Sequence, residues 1–203
     1  MAKMEWLLLM TQLPATPSSL RVNVWRRLKN KGTISNQNGA WLLPRTEENE
    51  TFLKRLQLFI TENGATSQLF FLQSVDEATD EAIINKARMD REEEYQEVLE
   101  QCEAFQQELE DESENRILTF IELEDNEQKL HRLKHWIAKI NKRDFMQDSP
   151  TYKKLLKKFN TCNELLKQYT LQVYEKEGIQ IDNPKLEVDD DGLLLDFDIP
   201  LIE

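Results

Sequence analysis

The 203-residue sequence predicts an α+β protein, in which a βαββαβ domain precedes a long helical hairpin or bundle. Two features carry that expectation. Up to about residue 75, short apolar runs alternate with amphipathic stretches and turn signals. From Asp76 as far as Val173, apolar residues recur three and four apart, the spacing of helices that bury one stripe. Five glycines and six prolines leave few positions to break such helices.

"EWLLLM" (Glu5–Met10) is a continuous apolar run with an aromatic residue, the pattern of a central strand buried on both faces. A helix follows, with Thr16 as N-cap and Pro17 at the first helical position, where a missing N–H costs nothing. It is expected to bury Leu20, Val24, Trp25 and Leu28 and to stop at Gly32. Thr33–Gln37 and Ala40–Arg45 read as a hairpin joined by Asn38-Gly39, a dipeptide that tolerates positive φ. A second helix starts near Thr46, with Glu47 and Glu48 complementing its dipole, and stops at Asn63-Gly64. Ser67–Ser74 is the fourth strand. The resulting order is the ferredoxin-like supersecondary pattern.

Three helical seams come next. Ile84, Ala87, Arg91, Tyr95, Val98, Cys102, Phe105 and Leu109 form the first, apolar except at Arg91. Phe120, Leu123, Leu130, Leu133, Ile137 and Ile140 form the second, interrupted at Glu127. Tyr152, Leu155, Phe159, Cys162, Leu166, Tyr169 and Val173 form the third. Breaks are expected near Glu110–Asn115 and Arg143–Pro150, where Asp148 or Ser149 and Pro150 restart a helix. The domains are therefore placed at residues 1–75, 76–180 and 181–203. The last is an acidic, apolar tail, either a short hairpin or an extended segment that needs a surface to cover it.

The formal charge of −12 hides a strong asymmetry. Residues 1–75 hold 9 basic and 5 acidic side chains, and 76–127 hold 4 and 20. Residues 128–158 hold 10 and 2, and 159–203 hold 3 and 11. Such asymmetry bears on partners rather than on fold. "SLRVNVWRRLKNKG" (Ser19–Gly32) has five basic residues and no acid. Arg21, Arg26, Arg27, Lys29 and Lys31 are the candidate phosphate contacts, since phosphate recognition needs several presented cations. The alternative is a solvated face paired with carboxylates elsewhere. A second basic patch comprises Lys139, Lys142, Arg143, Lys153, Lys154, Lys157 and Lys158, for which pairing with the acidic helix 76–127 is the expected fate.

Other chemistry has little support. Glu127, His131 and His135 share a helix face and form a weak metal candidate, since the histidine pair lacks a third and a fourth ligand of known position, so no metal and no cofactor are expected. Cys102 and Cys162 sit on seams, where a cysteine serves as a small core residue. No glycine-rich phosphate loop or Ser-His-Asp set can be nominated, and an enzyme is not expected. No apolar run is long enough for a membrane span, and no secretory leader is evident, so a cytoplasmic protein without membrane partners is expected.

"EWLLLMTQLPATPSSLRVNVWRRLKNKGTISNQNGAWLLP" resembles the opening of the N-terminal domain of ChrB-type chromate-resistance regulators. The resemblance continues through "YQEVLEQCEAF", "LTFIELEDNEQKLHRLKHWIAKINKRDF" and "CNELLKQYTLQVYEKEG", and so covers Glu5 to Gly178. It implies a bacterial transcriptional regulator that binds the operator DNA of a chromate-resistance operon. The family's full-length members carry a second, chromate-resistance domain that this sequence lacks, which implies a separate effector-sensing protein as partner. The βαββαβ unit is also similar to those of small CRISPR-associated nucleases and phenylacetate-pathway repressors. Those nucleases place an Asp at the end of the first strand, where this sequence reads "MTQLP" (Met10–Pro14). That likeness implies a homodimer. The competing expectation is a non-enzymatic protein-interaction module working through the helical region and the acidic tail.

Overall fold

The computed structural model describes residues 4–16, 18–36 and 39–179. Pro17 of the expected helix start, Asn38 of the expected turn and the tail 181–203 lie outside the described residues. The elements run β1 (Glu5–Gln12), α1 (Ser18–Lys31), β2 (Ile34–Asn36), β3 (Ala40–Pro44), α2 (Glu47–Glu62), β4 (Thr66–Gln73), α3 (Glu77–Glu114), α4 (Phe120–Arg143) and α5 (Pro150–Lys176). Two compact units meet between Met89 and Asp90, inside α3.

In the first unit the sheet order is β2-β3-β1-β4, antiparallel throughout. With β1 between β3 and β4, the two β–α–β crossovers interleave, which is the ferredoxin-like arrangement. Leu7 sits opposite Leu43 and Phe71, and Leu9 opposite Trp41 and Leu69. Leu7, Leu9 and Leu43 join Leu20, Val24 and Leu28 of α1 and Leu53, Leu56 and Ile60 of α2 in one core. This is a sheet face covered by a layer of two helices.

Strand alternation sends Trp6, Leu42 and Ile34 to the opposite face, and all three are buried as well. A buried indole N–H needs an acceptor, and Trp6 Nε1 donates to the Asp80 carboxylate at 2.8 Å. Asp80 is itself buried and also accepts from the Ser74 hydroxyl and the Met4 N–H. A buried carboxylate is tolerable when donors surround it in this way. This cluster ties the start of α3 to the sheet.

Local signals account for the ends of elements. Thr46 Oγ1 accepts from the Asn49 N–H at 3.1 Å and caps α2. Gly39 has φ +77°, and a Cβ there would lie 2.7 Å from the Thr11 carbonyl oxygen. Both the backbone conformation and the space therefore demand glycine. Thr119 and Ser149 cap α4 and α5 by accepting from the Glu122 and Tyr152 N–H groups, with Pro150 opening α5.

In the second unit α3, α4 and α5 share one core that runs from Tyr95 to Leu109, Leu123 to Ile140 and Leu155 to Tyr174. Every residue of the third predicted seam except Tyr152 is buried, and Tyr152 packs against the core's edge. The second seam differs in two places, the first being Phe120 at the start of α4, which is exposed. Asn126, not Glu127, continues the 3-4 spacing, and it is fully buried. Its Nδ2 donates to Glu112 at 2.7 Å and its Oδ1 accepts from Lys129.

Arg91, the break in the first seam, is also buried, and Glu94 lies 2.8 Å from it and 2.9 Å from Arg143. These contacts pair charges without an aligned hydrogen bond. Burial pulls the Arg91 pKa down from the ordinary arginine value, against the pull of Glu94. Among the described residues no helix is long and apolar enough to cross a membrane.

Candidate nucleic-acid interface

The candidate interface is built on α1. The helix has no acid in its first turn and carries Lys29 and Lys31 in its last, where cations complement the dipole. Leu20, Val24 and Leu28, four residues apart, are its buried residues and fix which side faces the core. A helix lying in a single layer over a sheet buries a narrow stripe, and the rest of its surface is left to solvent or to its neighbour.

Trp25 falls outside that stripe. It was expected in the core and is instead 49 % exposed, with Val22 beside it at 40 %. Val24 already fills the stripe, and Trp25, one position on, is turned about 100° away from it.

The five basic residues divide into two groups. Arg27 and Lys31 engage α2. The Arg27 guanidinium lies 4.1 Å from the centroid of the Phe59 ring, and its Nε donates to Asn23 Oδ1 at 2.8 Å. Lys31 pairs with Glu48 and sits 5.8 Å from the Phe52 ring. Arg21, Arg26 and Lys29 make no ion pair among the described residues, and Arg21 and Arg26 are exposed. With Val22 and Trp25 they are spaced three and four apart, so they are neighbours on one presented face. The structure thus keeps three of the five candidate cations available and turns two toward α2.

The second basic patch lies where the end of α4 meets the start of α5. The pairing expected with the acidic helix is made by Arg143, to Glu94, while Lys158 donates to Gln106 at 3.0 Å. Lys139, Lys142, Lys153, Lys154 and Lys157 make no ion pair among the described residues, and all are exposed. The internal neutralisation expected for this patch is therefore mostly absent there.

His131 and His135 stack at 6.2 Å between ring centroids. Among the described residues no group of three or more His, Cys, Asp or Glu side chains is placed to hold a metal ion, Glu127 with the two histidines included. Cys102 and Cys162 are buried free thiols, and Cys162 Sγ donates to the Cys102 carbonyl at 3.2 Å. The neighbouring Cys162 thiol and burial together push the Cys102 pKa well above the ordinary thiol value.

Trp25 is the surface residue that periodicity alone misplaced, because an apolar side chain next to a stripe reads as part of it. Asn126 was legible, since Leu123, Asn126, Leu130 and Leu133 keep strict 3-4 spacing.

Fold and surface together define an α+β protein whose ferredoxin-like unit presents a cationic helix face and whose second unit is helical. The chain belongs to the family described as "Protein ChrB, N-terminal", whose model matches residues 21–180. A similar curated protein is Protein ChrB of Cupriavidus metallidurans, 31% identical over 115 residues, which is 56% of this chain and 34% of that protein. The match thus spans about a third of the relative's length. No solved structure matches the chain.

Proposed function

We propose that this chain is a cytoplasmic, DNA-binding transcriptional regulator linked to chromate resistance. It contacts backbone phosphates through the outer face of α1. The observation that carries this reading is the presence of Arg21, Arg26 and Lys29, unpaired among the described residues, on a helix without a single acid. Residues 76–127 and the chain as a whole are acidic, so a local face of unpaired cations on α1 is a site to which an anionic partner is drawn. The exposed lysines of α4 and α5 are a second, sequence-independent phosphate surface in the same reading. Chromate comes into the proposal through membership of the ChrB family.

A homodimer is part of the proposal. β4 is an edge strand of eight residues without a charge, and Phe70 and Phe71 are exposed on it. Unprotected edges of this kind invite a second strand.

One observation favours a second reading, the protein-interaction module. Ile117, Phe120 and Ile121 are exposed together at the turn between α3 and α4. Binding of the full chain to a duplex from upstream of its own gene, and to a scrambled duplex, separates the two readings. The regulator binds the first roughly tenfold more tightly or better, and chromate changes that ratio. Equal, weak binding to both duplexes leaves the interaction module as the better account.

A further inference from the structure

An aromatic side chain at the centre of an otherwise cationic helix face is the least expected feature of the surface. Trp25 is the largest side chain that α1 leaves half exposed, and a solvated helix face gains nothing from it. Its neighbours are Arg21 four residues before, Lys29 four residues after, and Val22 and Arg26 alongside. Of the nearby cations, those without an ion pair among the described residues are the ones that surround the indole. The cations turned aside, Arg27 and Lys31, lie on the α2 side of the helix.

From this arrangement we infer that Trp25, with Val22 beside it, makes an apolar contact with nucleobases while Arg21, Arg26 and Lys29 hold the flanking phosphates. The inference rests on the proposed DNA-binding function and adds to it the residue that touches bases. Charge complementarity selects the occupant. Three unpaired cations within two helical turns match the spaced negative charges of a nucleic-acid backbone. The flat apolar surface between them matches what lies between phosphates, namely base edges and the thymine methyl group in a major groove wide enough for a helix. Phosphate contacts position a protein and base contacts specify a sequence. Trp25 and Val22 thus carry discrimination that the arginines cannot.

The two kinds of contact leave different thermodynamic marks. Replacing a cation weakens binding and flattens its dependence on salt, because fewer counterions are released. Replacing Trp25 removes an uncharged contact, so it weakens binding equally at all salt concentrations. The test uses the full chain, a duplex from upstream of its own gene and a scrambled duplex. Affinities are measured by fluorescence anisotropy over a salt series for the wild type, Trp25→Ala, Trp25→Phe and Arg26→Gln.

The expected result is a roughly tenfold loss for Trp25→Ala on the upstream duplex, about 1.4 kcal/mol, with the salt slope unchanged. Trp25→Phe should retain most of the affinity. The scrambled duplex should lose less, so the discrimination ratio falls. Arg26→Gln should lower the slope by about one on both duplexes. Because Trp25 lies outside the core, the thermal midpoint of Trp25→Ala should match the wild type, which keeps unfolding out of the comparison.

If Trp25→Ala binds both duplexes within twofold of wild type while Arg26→Gln still flattens the slope, phosphate binding stands and the base contact is wrong. If no variant, wild type included, binds either duplex, the DNA-binding reading itself fails. Vesicles of phosphatidylserine and phosphatidylcholine form a last arm. Binding to them that depends on Trp25 as strongly as duplex binding does would overturn the assignment to bases in favour of a lipid surface.

Discussion

Replacing the α1 cations in two sets, Arg21, Arg26 and Lys29 in one variant and Arg27 and Lys31 in another, separates what the structure assigns from what charge counting assigns. Each phosphate neutralised contributes about 0.9 to the slope of log K against log salt. If all five cations contact DNA, α1 contributes a slope of about 4.5, and a fourfold rise in salt weakens binding about 500-fold through α1 alone. If only the three without ion pairs do so, the slope is about 2.7 and the same rise costs about 40-fold. Changing Arg21, Arg26 and Lys29 to Gln should therefore remove about 2.7 from the measured slope and leave the thermal midpoint unchanged.

Changing Arg27 and Lys31 to Gln should do the reverse. The slope stays within about 0.5 of wild type, while the cation–π contact with Phe59 and the exposed pair with Glu48 are lost. Together these contribute roughly 1 kcal/mol, which lowers the midpoint by about 2–4 °C for a chain of this size. The assay is anisotropy at about five salt concentrations alongside a calorimetric melt. A slope loss of 1.5 or more for the Arg27/Lys31 variant would refute the division of the face.

Three further outcomes follow from the interior. Gly39→Ala combines a positive φ with a contact against the Thr11 carbonyl, and should cost roughly 2–3 kcal/mol as a lower urea midpoint with unchanged m-value. Gly64→Ala, with similar φ and nothing within 4 Å, should cost only about 1 kcal/mol. Ellman's reagent should label neither Cys102 nor Cys162 in the native protein and both in concentrated guanidinium, since both thiols are buried.

Tyr95 and Tyr169, two of the four tyrosines, have pKa values raised by burial and next by Asp144 and Glu112 respectively. The unfolded chain gives up these protons near the ordinary value of about 10 while the folded chain keeps them. Stability is therefore untouched below that pH and falls above it. Absorbance at 295 nm should accordingly show two tyrosines that ionise only as the protein unfolds.

Much of this protein is written in local pattern. The alternation of apolar runs with capped helices set the βαββαβ order, and the 3-4 spacing of the three seams predicted most of the residues that α3, α4 and α5 bury. Both are short-range consequences of helical and strand period, so they survive without knowledge of neighbours. Thr46, Ser149 and Pro150 act within a few residues of their own positions, and they too could be read directly.

What surrounds a residue across the fold could not be read this way. Trp25 looks apolar and adjacent to a stripe, yet a single helix layer has room for Leu20, Val24 and Leu28 and turns the indole outward. The five basic residues of α1 are alike in sequence, and only the position of α2, with Phe52, Phe59 and Glu48, decides that two are engaged and three are not. α3 carries acids in plenty for the lysines of α4 and α5, but burial rather than charge set how the three helices pack, and most of those lysines meet no carboxylate among the described residues. Composition along the chain therefore showed where the cations are, and tertiary packing decided which of them remain free to meet a partner.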